Sequence, residues 1–368
     1  MREPYEQTLE DREREVLERI EVRRRRPAKL KDELVTLAHG AGGKATHVLV
    51  EALFLEELRN PLLQPLGDSA LFQAPEGVGP RFAISTDSYV VKPLFFPGGD
   101  IGELAVNGTV NDLAMAGARP LFLTAGFVIE EGFPMDDLRR IAASMGEAAR
   151  RAGVAVAAGD TKVVERGKAD GLYLNTSGIA LVEHGLDLSP AQIRPGDRVL
   201  VSGTLGDHGM AIMIARGNLE LEVDLESDTA PLSELVQGLL EVGEGLRCLR
   251  DPTRGGLGTV LNELALAANV SIVLEEAALP LVPAVVGACE ILGIDPLYVA
   301  NEGKLVAIVA PEAADAALAV LRSHPLGLEA AAVGEVRSDP EGLVLLQTAF
   351  GGSRVVDMLV GDPLPRIC

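Results

Sequence analysis

The last four residues of the sequence, Pro365 to Cys368, place a thiol at the end of the chain. A cysteine with no residue after it can swing into a pocket and out again, so its sulfur could carry an acyl group. The α-carboxylate of Cys368 disfavours the neighbouring thiolate, whereas Arg366 supplies a compensating positive charge. The alternative is a frayed end with an accidental cysteine, because chain termini are often disordered. The position favours a carrier thiol.

Several carboxylates stand next to predicted strands, where metal ions and phosphates can be bound. Asp68 and Asp87 are candidate metal ligands, and a turn or a cap is the simpler interpretation of each. An acid, a hydroxyl and a lysine follow the apolar run 154–158, as Asp160, Thr161 and Lys162. At the mouth of a strand these three side chains would suit metal and phosphate binding, although a simple turn would also explain them.

A glycine-rich segment, His39-Gly40-Ala41-Gly42-Gly43-Lys44, could cradle a phosphate. It is not a P-loop, because Ala45 stands where that motif requires Ser or Thr. Gly40, Gly42 and Ala45 superficially fit the spacing of a dinucleotide-binding turn, yet no strand ending in a ribose-binding acid follows about 20 residues later. The hypothesis that the protein is a dinucleotide-dependent oxidoreductase therefore depends on this turn alone.

Alternating strands and helices must position these groups. A helix is predicted from Ile101 to Ala116, and its many small residues indicate close approach of a ligand or another backbone, since glycine destabilises a helix by about 1 kcal/mol. Asn107 and Asn111 lie four residues apart and so share a face of this helix, and Asp112 follows. The run 154–158 predicts a buried strand, and further helices are predicted over 135–152 and 231–248.

Residues 189–197 combine proline, glycine and turn residues between two apolar strands, so we place a domain boundary there. The predicted fold is α+β, with mixed sheets covered by helices in two domains, 30–188 and 189–352. A flexible tail, 353–368, carries the cysteine. The first 29 residues form a charged extension with four consecutive arginines, for which a solvated segment and a short docking helix are the two interpretations.

The composition limits the class of protein. With 368 residues, 47% hydrophobic and 24% charged, the chain fits two globular domains. A net charge of -21 argues against nucleic-acid binding, which depends on Lys and Arg at phosphates. We find no apolar run of membrane-spanning length and no secretory signal, so we expect no membrane partner and a cytoplasmic location. The three cysteines lack zinc-site or disulfide spacing, and Cys248 and Cys289 lie in apolar patterns predicted to be helical.

Five segments, taken together and in this order, resemble one ATP-binding superfamily, that of aminoimidazole ribonucleotide synthetase, selenophosphate synthetase and thiamine-monophosphate kinase. Within it they are similar to the HypE family of hydrogenase maturation factors. The segments are 39–43, 107–115, 159–164, 251–256 and 365–368. The resemblance runs from about residue 30 to the end, and only the charged extension departs from it.

This resemblance implies a two-domain aminoimidazole ribonucleotide synthetase-like fold, a homodimer formed through the first domain, and ATP with Mg²⁺ as cofactors. It implies that a HypF-type carbamoyltransferase delivers a carbamoyl group to Cys368, and that ATP drives dehydration of this group to a thiocyanate. The cyanide is then implied to pass to iron on a HypC and HypD scaffold and to become a ligand of the [NiFe]-hydrogenase site.

The resemblance also implies roles for particular residues. The metal-binding aspartates of the superfamily match Asp68, Asp87, Asp112 and Asp251. Residues implied to bind the nucleotide, including two of these aspartates, are His39, Gly40, Gly42, Asp68, Asp87, Asn107, Asn111, Asp160 and Thr161. Dehydration needs a base near the amide nitrogen: Glu302 is the first candidate, with a cap before a strand as its structural alternative, and Lys162 is the second, as a relay or a phosphate clamp.

Two other functions remain open from the sequence. A different small-molecule ATP-dependent enzyme of the superfamily would leave Cys368 without a purpose. A non-catalytic maturation scaffold would bind partners through the acidic surface and the tail, yet acids and glycines at several separate strand and helix ends are hard to explain without a nucleotide. Mg²⁺-dependent ATP binding separates the enzyme from the scaffold.

Overall fold

The computed structural model describes residues 32, 34–58, 60–73, 79–217, 224–361 and 364–368. The charged extension at 1–29 lies outside the described residues. Each half of the chain contributes one large β-sheet that is packed against helices, and both sheets contain parallel and antiparallel pairs, which confirms the predicted α+β class. None of the helices within the described ranges has the length and apolar character needed to cross a membrane.

Seven strands lie in the N-terminal half: β1 (Ala70–Gln73), β2 (Arg81–Tyr89), β3 (Phe95–Phe96), β4 (Gly99–Asp100), β5 (Arg119–Glu130), β6 (Ala155–Val164) and β7 (Leu172–Val182). β3 and β4 form a small hairpin, and the others form a sheet in the order β1-β2-β7-β5-β6. Residues of β7 alternate between buried and partly buried positions, because successive side chains in a strand point to opposite faces. One face of the sheet therefore carries the core.

Among the described residues, the α-helices of six or more residues beside this sheet are α1 (Lys44–Leu49), α2 (Ile101–Met115) and α3 (Met135–Arg151), and a further α-helical turn spans Leu55–Glu57. The prediction of α2 is confirmed. It begins where the Asp100 carboxylate accepts hydrogen bonds from the backbone N–H groups of Gly102 and Glu103, an N-cap that stabilises a helix by about 1 kcal/mol. A methyl group at Gly108 would overlap the Tyr89 hydroxyl, so this glycine allows α2 to pack directly on β2.

The C-terminal half contains a second sheet with the strands β8 (Arg198–Val201), β9 (Leu246–Arg250), β10 (Ser271–Glu275), β11 (Val306–Val309), β12 (Ala331–Arg337), β13 (Val344–Gln347) and β14 (Ser353–Val356). The order is β14-β13-β10-β12-β8-β11-β9. Its helices are α4 (Asp207–Ala215), α5 (Ser233–Leu240), α6 (Gly256–Ala268), α7 (Pro283–Leu292) and α8 (Ala314–Ser323).

Two boundaries in this half differ from the sequence prediction. The helix predicted over 231–248 ends at Leu240, and Cys248 lies buried in β9 rather than in a helix. Gly243, with φ of 68°, adopts the left-handed conformation that allows the chain to leave the helix. Residues 353–356, predicted to begin the tail, form β14 and pair with β13, so the segment that leaves the domain starts after Val356.

β6 differs most from the prediction. The apolar run 154–158 was expected to be a buried strand that ends before Asp160, but a single strand continues from Ala155 to Val164 at the edge of the sheet. Nearly all of its residues are exposed. Apolar side chains within a strand favour the extended conformation whether or not the same chain covers them.

The two halves share a hydrophobic core. Ile101 and Leu174 of the N-terminal half belong to the same buried cluster as Met210 and Val285 of the C-terminal half. Ile367, beside the cysteine at the end of the sequence, is buried in this cluster as well. The tail is therefore packed between the halves.

Candidate active site

The end of the chain lies along the segment that follows β2. Two backbone N–H groups hold it: that of Val90 donates to the carbonyl of Cys368 at 3.1 Å, and that of Lys92 donates to the carbonyl of Arg366 at 3.2 Å. The Arg366 side chain returns a hydrogen bond from Nε to the carbonyl of Val90 at 2.9 Å. The sequence left open whether the tail docks, and in this structure it is docked.

Side chains from both halves complete this docking. His208, in the first turn of α4, has its Nε2 3.0 Å from the carbonyl oxygen of Ile367. Arg216, just after α4, donates to the carbonyl of Arg366. The Arg366 guanidinium forms an ion pair with Asp170, which lowers the pKa of that carboxyl. The tail is thus fixed by its backbone and by one charged side chain.

Five carboxylates meet between the halves near this tail. Asp68 precedes β1, Asp87 lies in β2, Asp112 lies in α2, Asp251 follows β9 and Glu302 precedes β11. Burial raises the pKa of Asp112, and the charges of Asp251, Asp87 and Asp68 raise it further. Burial also raises the pKa of Asp251, with repulsion from Asp68 next in size. The fold therefore brings together all four predicted metal-binding aspartates.

Hydrogen bonds leave part of this acidic group without partners. Asp68 Oδ1 lies 2.7 Å from Arg250 Nε, and burial raises the pKa of Asp68 to about 6 despite the arginine. The Ser85 hydroxyl contacts both the Asp112 carboxylate and the carbonyl of Asp68. Buried oxygens with no hydrogen-bond partner are Asp68 Oδ2 and Glu302 Oε1. Unpaired buried acceptors are costly, so the group is suited to receive a cation or a hydrogen-bond donor.

Glu302 is held by its backbone while its carboxylate faces the acids. The Asn111 side chain donates to the carbonyl of Glu302 at 2.9 Å, and the Glu302 N–H donates to Asp228 at 3.0 Å. Burial raises the pKa of Glu302 well above its ordinary value, the charges of Asp87, Asp228 and Asp251 raise it further, and Arg254 partly opposes them. A carboxylate in this setting is a stronger base than an exposed one.

A cavity of about 170 Å³ is lined in part by Cys368. Residues of the glycine-rich segment, Gly40 and Ala41, form one wall, and Arg254 forms another. Arg254 Nη1 donates to the carbonyl of Gly40 at 2.9 Å, which fastens the segment over the cavity. The negative charge of Cys368 raises the pKa of Arg254, and Asp87 and Glu302 add to the effect. Arg254 is therefore the positive charge between the tail and the acids.

Within this chain, three predicted residues lie away from that group. Asp160 lies directly opposite Gly126 on the neighbouring strand. The next line of residues across the sheet contains Asp87, Ala125 and Gly159. Because adjacent rows point to opposite faces, the side chains of Asp160 and Asp87 lie on opposite faces of the sheet. Lys162 is 67% exposed and forms an ion pair with Asp160, and Thr161 faces a groove beside α3. The prediction that these three residues follow the end of a strand is wrong, because they lie within β6.

Three other predicted nucleotide contacts have partners inside the protein. Asn111 donates to the carbonyls of Ala230 and Glu302 and accepts from the N–H of Leu232, so its amide joins the two halves. Asn107 donates to Thr229 and retains one buried oxygen without a partner. The ring of His39 bonds to Thr36 and stabilises the turn before the glycines.

The acidic group contains the kind of oxygen ligands that a magnesium ion requires. Among the described residues, no group of three or more His, Cys, Asp and Glu side chains is arranged to hold a metal ion by itself. Mg²⁺ is usually bound by one or two carboxylates together with water and substrate phosphates, so a complete protein cage is not required. The acidic group, with its unpaired buried oxygen on Asp68, fits an ion of this kind.

Sequence reasoning missed three residues of the site. Arg254 lies within the segment 251–256, which carries part of the family resemblance, whereas His208 and Asp228 belong to none of the five segments. Asp228 accepts from Lys304 at 3.0 Å as well as from the Glu302 N–H. The sequence holds one indirect indication of Asp228. A methyl group at Gly303 would overlap the carbonyl oxygen of Asp228, so the glycine after Glu302 indicates that another backbone segment packs closely there.

Comparison with known proteins identifies the class. Residues 67–182 match the N-terminal domain of the AIR synthase related proteins, and residues 194–346 match the C-terminal domain of the same proteins. A relative from Cupriavidus necator, named carbamoyl dehydratase HypE, is 53% identical over 93% of this chain and 97% of its own length. The chain belongs to the HypE family of carbamoyl dehydratases.

Solved structures agree with this assignment. A crystal structure of the hydrogenase maturation protein HypE in complex with ATP is 49% identical, covers 91% of this chain and 100% of its own, and superimposes with a TM-score of 0.76. A crystal structure of a HypE–HypF complex is 48% identical, covers 84% of this chain and 99% of its own, and has a TM-score of 0.80.

Proposed function

We propose that this chain is an ATP-dependent carbamoyl dehydratase that acts on a carbamoyl group carried by its own Cys368. The observation that carries the proposal is the docked tail, which places Cys368 in a cavity beside Arg254, with Glu302 and the aspartates around that arginine. Family membership supports the reaction type. The HypE structure with ATP supports the nucleotide.

The chemistry follows from the poor leaving ability of an amide oxygen. The oxygen of Cys368-S-C(=O)NH₂ attacks the γ-phosphorus of ATP, ADP leaves, and one N–H proton is removed to give an S-C(OPO₃)=NH group. Removal of the second N–H proton forms the C≡N bond as the C–O bond breaks and phosphate leaves. The products are Cys368-S-C≡N, ADP and phosphate, so the carbamoyl group loses the elements of water.

The residues fit roles in this sequence. Glu302 is the proposed base, because its carboxylate is buried among acids and has one oxygen without a partner. Arg254 would face the transferred phosphoryl group and the carbamoyl oxygen, where negative charge develops. His39, Gly40 and Gly42 belong to the segment that would cover the phosphates, and Arg254 fastens that segment.

Magnesium would be held by members of the aspartate group, Asp68, Asp87, Asp112 and Asp251. When bound, Mg²⁺ would supply charge neutralisation to the phosphates of ATP. Asn107 is a proposed nucleotide contact through its unpaired oxygen, whereas Asn111 is better suited to holding Glu302 in place.

A homodimer is part of the proposal. The face of the N-terminal sheet opposite α2 exposes Ile84 and Phe122 at its apolar end and Asp160 and Lys162 at its polar end. Phe82 stacks on Phe72 at the apolar end, with ring centroids 5.6 Å apart. Such a face on a sheet with an open edge is suited to a second copy of the same sheet. Asp160 and Lys162 lie on that face, so their proposed nucleotide and relay roles require the assembly, whereas Thr161 keeps its proposed nucleotide role from the groove beside α3.

The remaining partners follow the family. A HypF-type carbamoyltransferase would load Cys368, as the HypE–HypF complex of a relative supports. Proteins of the HypC and HypD type would receive the cyanide for the iron of [NiFe]-hydrogenase. We propose that these steps take place in the cytoplasm, where ATP and the apo-hydrogenase are available.

Intact mass tests the function. The protein is incubated with the carbamoyltransferase and its carbamoyl donor, and then with MgATP. The expected result is a carbamoyl adduct on Cys368, followed by ATP-dependent loss of one water. A Cys368→Ser variant is the control for the site of modification. An adduct that never loses water would indicate a carrier or a scaffold, and no adduct on Cys368 would indicate a different ATP-dependent enzyme.

A further inference from the structure

His208 stands apart from the acids yet contacts the residue next to Cys368. Its side chain is fully buried, with 0% exposure. Nε2 lies 3.0 Å from the carbonyl oxygen of Ile367, and Nδ1 lies 2.8 Å from the hydroxyl of Ser227. The edge of the ring packs against Phe96 at 5.7 Å between centroids, with the planes at 90°. Both ring nitrogens are thus committed.

The partner of Nε2 fixes which nitrogen carries the proton. The Ile367 carbonyl oxygen can only accept a hydrogen bond, so Nε2 carries the N–H that donates to it. In the neutral ring Nδ1 is then an acceptor, and the Ser227 hydroxyl, which accepts from the N–H of Thr229 at 3.1 Å, donates its own proton to Nδ1 and supports this tautomer. Burial lowers the pKa of His208 and favours this neutral form. The histidine therefore presents one fixed donor to the tail.

That donor completes a run of three held carbonyls. Lys92 holds the carbonyl of Arg366, His208 holds that of Ile367, and Val90 holds that of Cys368. With these main-chain oxygens held, the backbone position of Cys368 is set, and the rotamer about its Cα–Cβ bond directs the sulfur. Misplacement of a reacting group by about 1 Å can lower a rate about 100-fold.

The segment that supports His208 also supports Glu302. Ser227 bonds to His208, Asp228 accepts from the Glu302 N–H, Thr229 bonds to Asn107, and Ala230 accepts from Asn111. Gly98, with φ of 86°, lies against Ser227, and any side chain there would collide with its backbone. Residues 227–230 thus act as one support for the thiol carrier and the base, which come from different parts of the chain.

We infer that His208 is a positioning residue for dehydration: its Nε2–H holds the Ile367 carbonyl so that the carbamoyl group on Cys368 lies close to Glu302 and to ATP. This inference rests on the proposed function and assigns His208 no contact with the reacting atoms. It distinguishes the two steps, because loading of Cys368 by the carbamoyltransferase needs an accessible tail, whereas dehydration needs a docked one.

The test compares four variants of the full-length protein. His208→Phe keeps the ring and its packing but removes the donor. His208→Gln restores an N–H donor near the Nε2 position. Ser227→Ala leaves the donor but removes the group that supports the tautomer. His324→Gln is the matched control, because His324 Nδ1 accepts only a local hydrogen bond from Leu326 in its own turn.

Two readouts are taken on each variant. Single-turnover mass spectrometry measures carbamoylation and dehydration separately, and tryptic cleavage after Arg366 measures undocking of the tail without any chemistry. For His208→Phe we expect dehydration about 100-fold slower, unchanged carbamoylation and faster cleavage. His208→Gln should recover part of the lost dehydration rate and part of the protection from trypsin. Both quantities should lie between those of His208→Phe and wild type in Ser227→Ala, and they should equal the wild-type values in His324→Gln.

Several results would overturn the inference. Wild-type dehydration in His208→Phe, or equal loss of carbamoylation and dehydration, would show that the histidine does not position the tail. Failure of Gln to recover any rate or protection would point to packing alone. If wild type itself loses no water, the proposed function fails, and the tryptic readout still decides whether His208 holds the tail. Thermal melting identifies a variant that does not fold, in which case Ser227→Ala decides.

Discussion

Asn111 reaches across the boundary between the two halves and binds the backbone of Glu302. Its Nδ2 lies 2.9 Å from the Glu302 carbonyl and 3.0 Å from that of Ala230, while its Oδ1 accepts from Leu232 at 2.8 Å. One amide in helix α2 therefore fixes three backbone points of the C-terminal half. The placement of the proposed base depends on this interdomain contact.

Substitution of Asn111 by Leu should lower both stability and activity. Buried backbone groups would lose their partners, at about 1–3 kcal/mol for each unsatisfied group, so we expect the free energy of unfolding to fall by about 3 kcal/mol in urea denaturation. Asn107→Leu is the matched comparison, four residues away on the same helix, because Asn107 bonds to the side chain of Thr229 and has an unpaired oxygen. It should cost less. Equal losses would contradict the role given to Asn111.

Glu302 should impose an acid limb on dehydration. Burial and the charges of Asp87, Asp228 and Asp251 raise its pKa well above the ordinary value, and a base acts only when deprotonated. The rate should therefore fall as the pH drops through that raised pKa, at a higher pH than an ordinary glutamate would give. The measurement is the single-turnover rate of the carbamoylated protein with MgATP as a function of pH.

The matching variant is Glu302→Gln, in which we expect dehydration to slow about 100-fold or more while carbamoylation continues. Glu335→Gln, a partly buried carboxylate on β12 that is paired with Arg198 and Arg337, is the control. A Gln variant that dehydrates at the wild-type rate would remove Glu302 from the mechanism. In that case Lys162 of the proposed dimer becomes the next base to test.

The aspartate group should destabilise the protein when no cation is present. Burial first, and then Asp251, Asp87 and Asp68, raise the pKa of Asp112. The folded state therefore keeps a proton that the unfolded chain releases, so stability falls as pH rises from the ordinary Asp value through the raised one. Asp112→Asn cannot ionise and should melt at a higher temperature than wild type at neutral pH without Mg²⁺.

The same variant should lose Mg²⁺-dependent stabilisation by ATP. Thermal melting with and without MgATP measures both effects, and Asp136→Asn serves as the control because Asp136 is 94% exposed at the start of α3. An Asp112→Asn protein that is less stable than wild type in metal-free buffer, yet still responds to MgATP, would be evidence against a cation site among these aspartates.

The exposed face of the N-terminal sheet should mediate self-association. Phe122 is 52% exposed on that face, and a charge there would meet the same charge or an apolar surface in a symmetric pair. Phe122→Glu should convert a dimer to a monomer in light scattering. Met135→Glu, at a more exposed position on α3 with 74% exposure, should leave the mass unchanged. A dimer in both variants would place the interface elsewhere.

The sequence predicted what depends on local pattern. The small residues located α2, and the motif order located the aspartates that the fold brings together. It failed where the deciding contact is remote. The run 154–158 has the apolar character of a buried strand, but the part of the chain that the structure describes leaves it exposed. The role of His208 depends on its contact with Ile367, which is far away in sequence and is brought to His208 by the packing of the tail.

The burial of two cysteines has a practical consequence. The pKa of Cys248 is raised to about 12 by burial in β9, and that of Cys289 to about 11 by burial in α7. Thiol alkylation needs the thiolate, so at neutral pH both should react slowly. Cys368 is the one other cysteine in the sequence. The natural chain should therefore accept a maleimide fluorophore or spin label at Cys368 alone, without removal of any cysteine, and the probe would report the position of the tail directly.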